Sequence, residues 1–253
     1  MDIHNAVAIV TGAGRVDDTG NPRIGNAIAL ALAMRKARVL VHYSSSKEGA
    51  ESTVATIRNF GGEAFAFQAD LADENVGEKI VSEAIGRFGA PVRILINSAA
   101  IFPTDDILSF DAQKTIQTLK IMSIGPSLLM QSMVKAIPNG TGGVIINIID
   151  SRIGNRPYPD HYSYAMAKAA LSEASTSIAL ALAGRNIRVV RISPGAILKA
   201  SGKSDTHHQH VLRTVPLGHE GGNDSIVKAV LCVIENDFVT GSNIVVDGGG
   251  FLL

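Results

Sequence analysis

The sequence predicts an α/β protein built on a parallel sheet with helices on both faces. Short runs rich in valine, isoleucine and alanine alternate with longer segments of helical periodicity along the whole chain. These runs are apolar at nearly every position, which is typical of parallel strands that are covered on both faces. Strands that alternate with helices at this spacing indicate repeated βαβ units, and therefore a doubly wound sheet.

The chain contains seven candidate strands and six candidate helices. The strands are Val7–Val10, Val39–Tyr43, Ala64–Ala69, Ile94–Asn97, Val144–Ile149, Ile187–Ile192 and Ile244–Val246. The helices are Gly25–Arg35, Lys47–Asn59, Glu74–Phe88, Gln113–Ile137, Tyr162–Ala183 and Asn223–Glu235. Because no linker, repeat or low-complexity tract interrupts this order, we expect one Rossmann-like domain of about seven strands over residues 1–253.

Two segments interrupt the alternation. Residues 15–22 separate the first strand from the first helix, and residues 199–222 form a polar stretch with His207, His208 and His210. Loops of such length in a compact domain are commonly functional, so we expect residues 199–222 to be a mobile lid over a substrate site. The alternative of a metal site is less favoured, because neighbouring histidines point in different directions and lack an acidic or cysteine partner at ligand spacing. We therefore expect no metal.

Composition and charge exclude several classes of protein. The 23 basic and 23 acidic residues balance, so no field would attract nucleic acid or an anionic membrane. No apolar run reaches the roughly 18–20 residues of a membrane span, and no basic region of a signal peptide is seen at the N-terminus. The single cysteine, Cys232, cannot form an intrachain disulfide. We expect a cytoplasmic protein with neither a nucleic-acid nor a membrane partner.

The turn after the first strand has the glycines of a phosphate-binding site. Thr11-Gly12-Ala13-Gly14-Arg15 leads toward a helix that begins near Arg23-Ile24-Gly25. Glycines there let backbone amides approach a pyrophosphate, and the helix N-terminus favours its negative charge. Ordinary tight turns also use glycine, so it is the position directly after a strand that supports nucleotide binding. The candidate cofactor-binding residues here are Gly12, Arg15, Arg23 and Ile24.

The end of the second strand indicates which nucleotide binds. NAD-binding sites of this architecture usually place an acidic side chain there to hold the ribose 2′-hydroxyl. This chain instead has Tyr43-Ser44-Ser45-Ser46-Lys47, with no carboxylate before Glu48. Hydroxyl groups and a lysine suit a 2′-phosphate, and we expect Arg15 to reach the same place. We expect NADP(H) to bind near Tyr43, Ser44 and Ser45; the alternative is a polar turn whose serines cap the next helix.

A tyrosine and a lysine mark the chemical end of the site. Tyr164 and Lys168 stand four residues apart, which places the phenol and the ammonium on one face of a helix. A nearby ammonium lowers the pKa of a phenol from about 10 toward a range in which it exchanges a proton. Such a pair is often an ordinary surface feature. Here Ser151 lies thirteen residues upstream, just after a strand, where α/β sheets place their ligands.

Taken together, the motifs resemble those of the short-chain dehydrogenase/reductase family over essentially the whole chain. In order they are Thr11-Gly12 with Gly25, Asp70-Leu71, Asn97-Ser98-Ala99-Ala100, Ser151, Tyr164, Lys168, Pro194-Gly195, Thr240-Gly241 and Val246-Asp247-Gly248-Gly249. Each motif is weak alone, but their order and spacing are specific. The resemblance implies an oxidoreductase that moves a hydride between NADP(H) and a carbonyl or alcohol substrate.

The resemblance also implies a role for each site residue. Ser151 would hold the substrate oxygen, Tyr164 would act as acid and base, and Lys168 would bind the nicotinamide ribose and tune Tyr164. Asp70 and Leu71 would flank the adenine. The further cofactor-lining positions would be Asn97, Ala99, Pro194, Gly195 and Ile197. The family's usual assembly implies a homotetramer formed through the helices at Gln113–Ile137 and Tyr162–Ala183.

The chain departs from the family pattern at several site positions. The glycine motif contains about seven extra residues and has Arg23 in place of its middle glycine. Met122 stands where the family has an asparagine that supports a proton-relay water. The replacement implies either an altered relay or one that uses Ser123 or water differently. The other replacements are Ser98 and Ala100 for asparagine and glycine, and Leu198 for a threonine that contacts the nicotinamide carboxamide.

Two branches of the family are matched about equally well, so the substrate stays open. Arg23, the Val41-His42-Tyr43 run and the Ala100–Thr104 segment are similar to pteridine reductases, which use an aspartate near the serine position. Asp150 is adjacent to that position, but lies fourteen rather than thirteen residues before Tyr164.

The Pro216-Leu217-Gly218 run is similar to bacterial 3-oxoacyl carrier-protein reductases. A third alternative is a catalytically silent NADP(H)-binding sensor. The intact Ser151, Tyr164 and Lys168 argue against a sensor, since it would not need their chemistry.

Overall fold

The fold is a parallel sheet. The computed structural model describes residues 1–14, 16, 22–199 and 204–253, except for the side chains of Asp205 and His207. Its seven strands in the described residues are β1 (Val7–Val10), β2 (Arg38–Tyr43), β3 (Glu63–Gln68), β4 (Val92–Asn97), β5 (Gly143–Ile148), β6 (Ile187–Pro194) and β7 (Asn243–Val246). All pairs are parallel, in the order β3-β2-β1-β4-β5-β6-β7. The predicted doubly wound sheet is confirmed.

The helices of the described residues cover both faces of this sheet. They are α1 (Ile24–Met34), α2 (Lys47–Asn59), α3 (Val76–Phe88), α4 (Ala112–Leu119), α5 (Gly125–Ala136), α6 (Tyr162–Leu182), α7 (Asp205–Leu212) and α8 (Gly222–Glu235). None of these helices is long and apolar enough to cross a bilayer.

The segment predicted as one helix over Gln113–Ile137 is instead divided by a π-helical turn at Lys120–Ile124. Pro126 has no N–H group to continue the helical ladder, and the amide of Gly125 bonds to the carbonyl of Lys120, five residues earlier. Gly125 also packs against the carbonyl of Leu71, which would lie 2.3 Å from a Cβ at this position. The predicted helical segment is therefore present, and the π-helical turn within it was not predicted.

Alternation along β1 shows how the two hydrophobic layers form. Ala8 and Val10 face a cluster shared with α1, α2 and α8, whereas Val7 and Ile9 face a second cluster shared with α3, α5 and α6. Successive side chains of a strand point to opposite faces, so a strand covered on both sides must be apolar throughout. This burial leaves the carboxyl ends of the strands as the edge at which a polar ligand can enter.

The strand order locates that entrance. The chain runs outward from β1 through β2 to β3, then returns to the other side of β1 to continue through β4. The crossovers on either side of β1 therefore diverge, and they leave a crevice beyond the carboxyl ends of β1 and β4.

The segment predicted as a lid, residues 199–222, contains the helix α7. In its described part the imidazole of His208 lies 3.2 Å from the carboxylate of Glu220. No group of three or more His, Cys, Asp or Glu side chains in the described residues is arranged to hold a metal. Movement of this segment stays a prediction.

Candidate active site

A cleft of about 800 Å³ occupies the crevice and extends along the carboxyl ends of β5 and β6. Most of the site residues predicted from the sequence line it. They are Gly12, Arg23, Ile24, Tyr43, Ser44, Ser45, Asp70, Leu71, Ala99, Tyr164, Lys168, Pro194, Gly195 and Ile197. Arg15, a further candidate, lies outside the described residues. The volume is at the upper end of the usual range for ligand sites, as a large cofactor requires.

Two glycines make the narrow end of the cleft. Gly12 has φ +66°, and a Cβ there would lie 2.7 Å from the Cα of Ala99. A Cβ at Gly25 would lie 2.5 Å from the carbonyl oxygen of Gly12. Only glycine permits these approaches without movement of the backbone. The resulting turn lies beside the N-terminus of α1, whose first N–H groups suit a pyrophosphate.

His42 supports this turn from below, and sequence reasoning did not select it as a site residue. Its Nδ1 accepts the N–H of Gly12 at 3.3 Å, and its Nε2 lies 3.1 Å from the carbonyl of Ala69. Nε2 must therefore carry the proton, and the ring is neutral. Burial lowers the pKa of His42 from 6.5 to about 4 despite the opposing effect of the Ala69 carbonyl. A buried histidine in an otherwise apolar strand was the signal that could have found it.

The end of β2 is lined by hydroxyl groups. Tyr43, Ser44 and Ser45 border the cleft, and no carboxylate among the described lining residues belongs to this stretch. Lys47 instead lies 3.7 Å from Glu51 on the exposed face of α2. The described residues from Tyr43 to Ser46 thus offer hydroxyl groups and no carboxylate to a phosphate.

Arg23, which stands where the family has a glycine, links two sides of the cleft. Its guanidinium donates a 3.1 Å hydrogen bond to the carbonyl of Lys199, after β6, while its backbone N–H donates to the side chain of Asn26. The N-terminus of α1 is thereby connected to the segment that leads into α7.

Asn97 does not line the cleft with the other predicted residues. It is buried, and its Nδ2 donates to Oδ1 of Asn147 at 2.7 Å, whose own Nδ2 donates to Ser175 at 2.8 Å. This chain of hydrogen bonds joins β4, β5 and α6 beneath the cleft. Asn97 therefore contributes to the site through the backbone geometry of β4, because its side chain is committed to the interior.

The chemical end of the cleft centres on Tyr164, Asp150 and Lys168. The Tyr164 hydroxyl donates to Oδ2 of Asp150 at 2.9 Å. Nζ of Lys168 donates to the carbonyl of Ile148 at 2.5 Å and lies 6.0 Å from the centre of the Tyr164 ring. Tyr164 and Lys168 thus share one face of α6, as their spacing predicts, but the nearest charged partner of the phenol is the carboxylate.

The surroundings shift both titrating groups. Burial, reinforced by the Asp150 carboxylate, holds the pKa of Tyr164 well above its ordinary value. Burial lowers the pKa of Lys168 to about 8, although Asp150 favours its charged form. The phenol is therefore protonated, and the lysine loses its proton more readily than an exposed lysine does.

Ser151 does not reach the cleft lining, contrary to the geometry expected for it. Its N–H bonds to the carbonyl of Pro194 at 2.9 Å, as the N–H of Ile149 bonds to Ile192 at 2.8 Å, so the extended pairing continues past the end of β5. Neighbouring side chains of an extended segment point to opposite sides. Asp150 consequently points toward Tyr164, while Ser151 is 7% exposed and does not hold the Tyr164 hydroxyl.

An aromatic wall borders the same end of the cleft. Phe102 makes edge contact with Tyr164, with ring centres 4.6 Å apart, and lies 3.7 Å from the ring of His161. The Nδ1 of His161 contacts the carbonyl of Pro103 at 2.6 Å, which fixes the ring against this loop. The phenol ring of Tyr158 packs against Phe102 and His161 behind this wall. A flat apolar ligand would find complementary surface here.

Met122 fills the position of the expected relay asparagine. It is buried against Tyr164 and Ala167, and the hydroxyl of Ser123 donates to the Ala167 carbonyl at 2.6 Å. Neither Met122 nor Ser123 therefore offers a polar side-chain partner to the ammonium of Lys168.

Comparison with known proteins shows similarity over most of the chain. The family model described as Enoyl-(Acyl carrier protein) reductase matches residues 21–250. L-rhamnose 1-dehydrogenase (NAD(P)(+)) from Azotobacter vinelandii is 33% identical, covering 100% of this chain and 99% of that protein. The 3-oxoacyl-[acyl-carrier-protein] reductase FabG of Staphylococcus aureus is 30% identical, covering 97% of this chain and 98% of that protein.

Among solved structures, FolM Alternative dihydrofolate reductase 1 from Brucella suis, in complex with NADP, superimposes with a TM-score of 0.90. It is 32% identical and the match covers 100% of this chain and 97% of that one.

Proposed function

Because this oxidoreductase belongs to the short-chain dehydrogenase/reductase family, we propose that it is an NADP(H)-dependent reductase in which Tyr164, held by Asp150, protonates the substrate. The observation that supports this most directly is the 2.9 Å hydrogen bond between the Tyr164 hydroxyl and the Asp150 carboxylate, beside the buried Lys168. NADPH supplies the hydride when bound. The chain's own residues supply the proton, hold the substrate and exclude water.

The lining residues fit NADP(H) at each part of the cleft. The Gly12 turn and the N-terminus of α1 suit the pyrophosphate, and the hydroxyl groups of Tyr43, Ser44 and Ser45 suit the 2′-phosphate. Lys168 would bind the nicotinamide ribose. Asp70 and Leu71 would flank the adenine, with the nicotinamide near Ala99, Pro194, Gly195 and Ile197. The complex of the Brucella relative with NADP supports this assignment.

Burial and the Asp150 carboxylate raise the pKa of Tyr164, so the phenol is protonated before turnover and is a weak acid. It would donate its proton to a strongly basic atom that forms during hydride transfer, such as the nitrogen of a reduced C=N bond. The ammonium of Lys168 then stabilises the phenolate that is left.

Asp150 and the aromatic wall favour a flat nitrogen heterocycle, of the dihydropterin class, as substrate. A carboxylate accepts hydrogen bonds from ring N–H and amino groups, whereas a 3-oxoacyl ketone presents only acceptor oxygens, which a carboxylate repels. The Brucella relative is named an alternative dihydrofolate reductase. The second candidate is a ketone such as a 3-oxoacyl thioester, supported by the Pro216-Leu217-Gly218 run and the Staphylococcus relative.

NADPH oxidation should be measured with dihydrofolate, a dihydropterin, a 3-oxoacyl thioester and an aromatic quinone, and L-rhamnose should be tested with NADP⁺. We expect the highest kcat/KM with the dihydropterin class, and we expect Asp150→Asn to reduce it. Turnover of thioester or sugar alone, unaffected by Asp150→Asn, would refute both the substrate class and the role of Asp150.

A homotetramer is part of this proposal. The helices expected to form its interface carry exposed apolar side chains, among them Ile116 on α4, Met166 and Leu180 on α6, and Ile124 in the π-helical turn. Sedimentation equilibrium would show four chains per particle if these helices pair, and a monomer would refute it.

A further inference from the structure

Tyr158 is a phenol at the site to which the mechanism above gives no role beyond packing. Its hydroxyl donates to Oδ2 of Asp150 at 2.8 Å, the same oxygen that accepts from Tyr164 at 2.9 Å. Three oxygen atoms therefore form a continuous hydrogen-bonded path from Tyr164 through Asp150 to Tyr158. Tyr164 is 6% exposed, whereas Tyr158 is only partly buried, so the path leads from the interior toward solvent.

The opposite side of Tyr164 offers no such path among the described side chains. Nζ of Lys168 donates to the Ile148 carbonyl, and the hydroxyl of Ser123 is committed to the Ala167 carbonyl. Met122 packs on Tyr164 on this side with a thioether, which has no proton to donate. A proton that replaces the one given to substrate has its best-connected route through Asp150.

We propose that Tyr158 is the outer member of a proton relay that recharges Tyr164 through Asp150 after each turnover; this rests on the proposed function of Tyr164 and Asp150. Tyr164 gives its proton to the substrate and becomes a phenolate. Tyr158 gives its proton to Oδ2 of Asp150, and Asp150 passes a proton to the Tyr164 oxygen. The Tyr158 phenolate then takes a proton from water, so one proton moves inward at each step and nothing is oxidised or reduced.

Arg152 supplies the positive charge that this relay needs. Its guanidinium carbon lies 3.8 Å above the centre of the Tyr158 ring. It is fixed there by hydrogen bonds to the carbonyls of Arg156 at 3.3 Å and Pro157 at 2.8 Å. Arg152 thus stands toward the outer phenol as Lys168 stands toward the inner one, as a cation that stabilises a transient phenolate.

The relay is tested by Tyr158→Phe, which removes one hydroxyl and keeps the ring that packs on Arg152 and Phe102. The best substrate of the panel above is the probe. Because Tyr164 is already protonated in the resting enzyme, we expect an unchanged first turnover, followed by a steady-state rate lower by about tenfold or more. The steady-state solvent deuterium isotope effect should rise, and added imidazole buffer should restore the rate. Tyr162→Phe is the matched control, since its ring packs 6.0 Å from Phe110 on the exposed side of α6 and should show none of these effects.

A measurement without turnover separates this proposal from the proposed function. In protein labelled at tyrosine Cζ, Tyr158→Phe should displace the NMR signal of Tyr164, because both phenols share Oδ2 of Asp150, and Asp150→Asn should displace both. An unmoved Tyr164 signal, an unchanged steady-state rate or a first turnover slowed as much as later ones would each overturn the relay. If instead Tyr164→Phe kept full activity, the proposed function itself would fail.

Discussion

The two ends of the cleft are built in different ways. At the proposed cofactor end, the main chain shapes the cleft, through the turn at Gly12, the close packing of Gly25 and the N-terminus of α1. At the substrate end, side chains decide the chemistry, and a shift of one residue puts the carboxylate of Asp150 beside Tyr164 where a serine hydroxyl was expected. A ligand site formed by main-chain groups tolerates changes of side chain. The chemistry of a site formed by side chains depends on the direction in which each of them points.

The largest effect should come from removing the proton donor at the substrate end. Tyr164→Phe keeps the ring against Phe102 and Met122 but removes the hydroxyl. Since general acid–base groups typically contribute 10²–10⁴-fold, we expect a fall of that order in the single-turnover rate of hydride transfer. Cofactor affinity, measured by calorimetry, should not change. A wild-type rate in folded, cofactor-loaded protein would show that Tyr164 is not the acid.

The next comparison decides between the two candidate partners of Tyr164. Asp150→Asn keeps the shape of the side chain but removes its charge, and we expect kcat to fall by roughly 10²-fold. Ser151→Ala should change kcat by less than about tenfold, because the Tyr164 hydroxyl is hydrogen-bonded to Asp150 rather than to Ser151. Steady-state kinetics of both variants would settle the matter. A larger loss in Ser151→Ala would restore the serine role that the sequence predicts.

At the cofactor end, stability should depend on the ionisation of His42. Because its pKa in the folded protein is about 4 against 6.5 ordinarily, the unfolded chain binds the extra proton between these values. The contribution of neutral His42 to the free energy of unfolding should therefore be fully present at pH 7. The free energy of unfolding should fall by up to about 3 kcal/mol as the pH drops from 6.5 to 4.

Urea unfolding of wild type and His42→Gln at pH 7 and pH 4.5 would measure this loss. We expect a smaller pH dependence in His42→Gln, whose amide does not titrate. His4→Gln, at an exposed position, is the control and should behave as wild type. Equal pH dependence in all three proteins would mean that His42 is not the source.

The smallest effect concerns which nucleotide is preferred. Ser44→Asp places a carboxylate at the end of β2, where it would repel a 2′-phosphate and accept a 2′-hydroxyl. We expect the preference for NADPH over NADH to fall by on the order of tenfold, with little change in kcat. Ser44→Asn is the matched control, because it has similar size and no charge. A wild type that already prefers NADH would contradict the assignment of this surface.

Hydrophobic patterning and motif order were sufficient to predict the seven-stranded sheet and its order of elements, the cleft at the strand ends, and the Tyr164–Lys168 pair on one helix. These features depend on local periodicity and on spacing within a single element, both of which can be read directly from residue types. The π-helical turn was missed because its cause combines Pro126 with the packing of Gly125 on Leu71, which belongs to a distant part of the chain.

The identity of the group beside Tyr164 depended on a longer-range contact. Pairing with β6 continues through Ile149 and Ser151, and this pairing determines that Asp150 points into the cleft. The contacts of His42 and Asn97 likewise join neighbouring parts of the sheet. Their partners lie 30 and 50 residues away in the sequence. Residue types predict which chemistry is available, but the direction of each side chain follows from hydrogen bonds between segments that are far apart in the sequence.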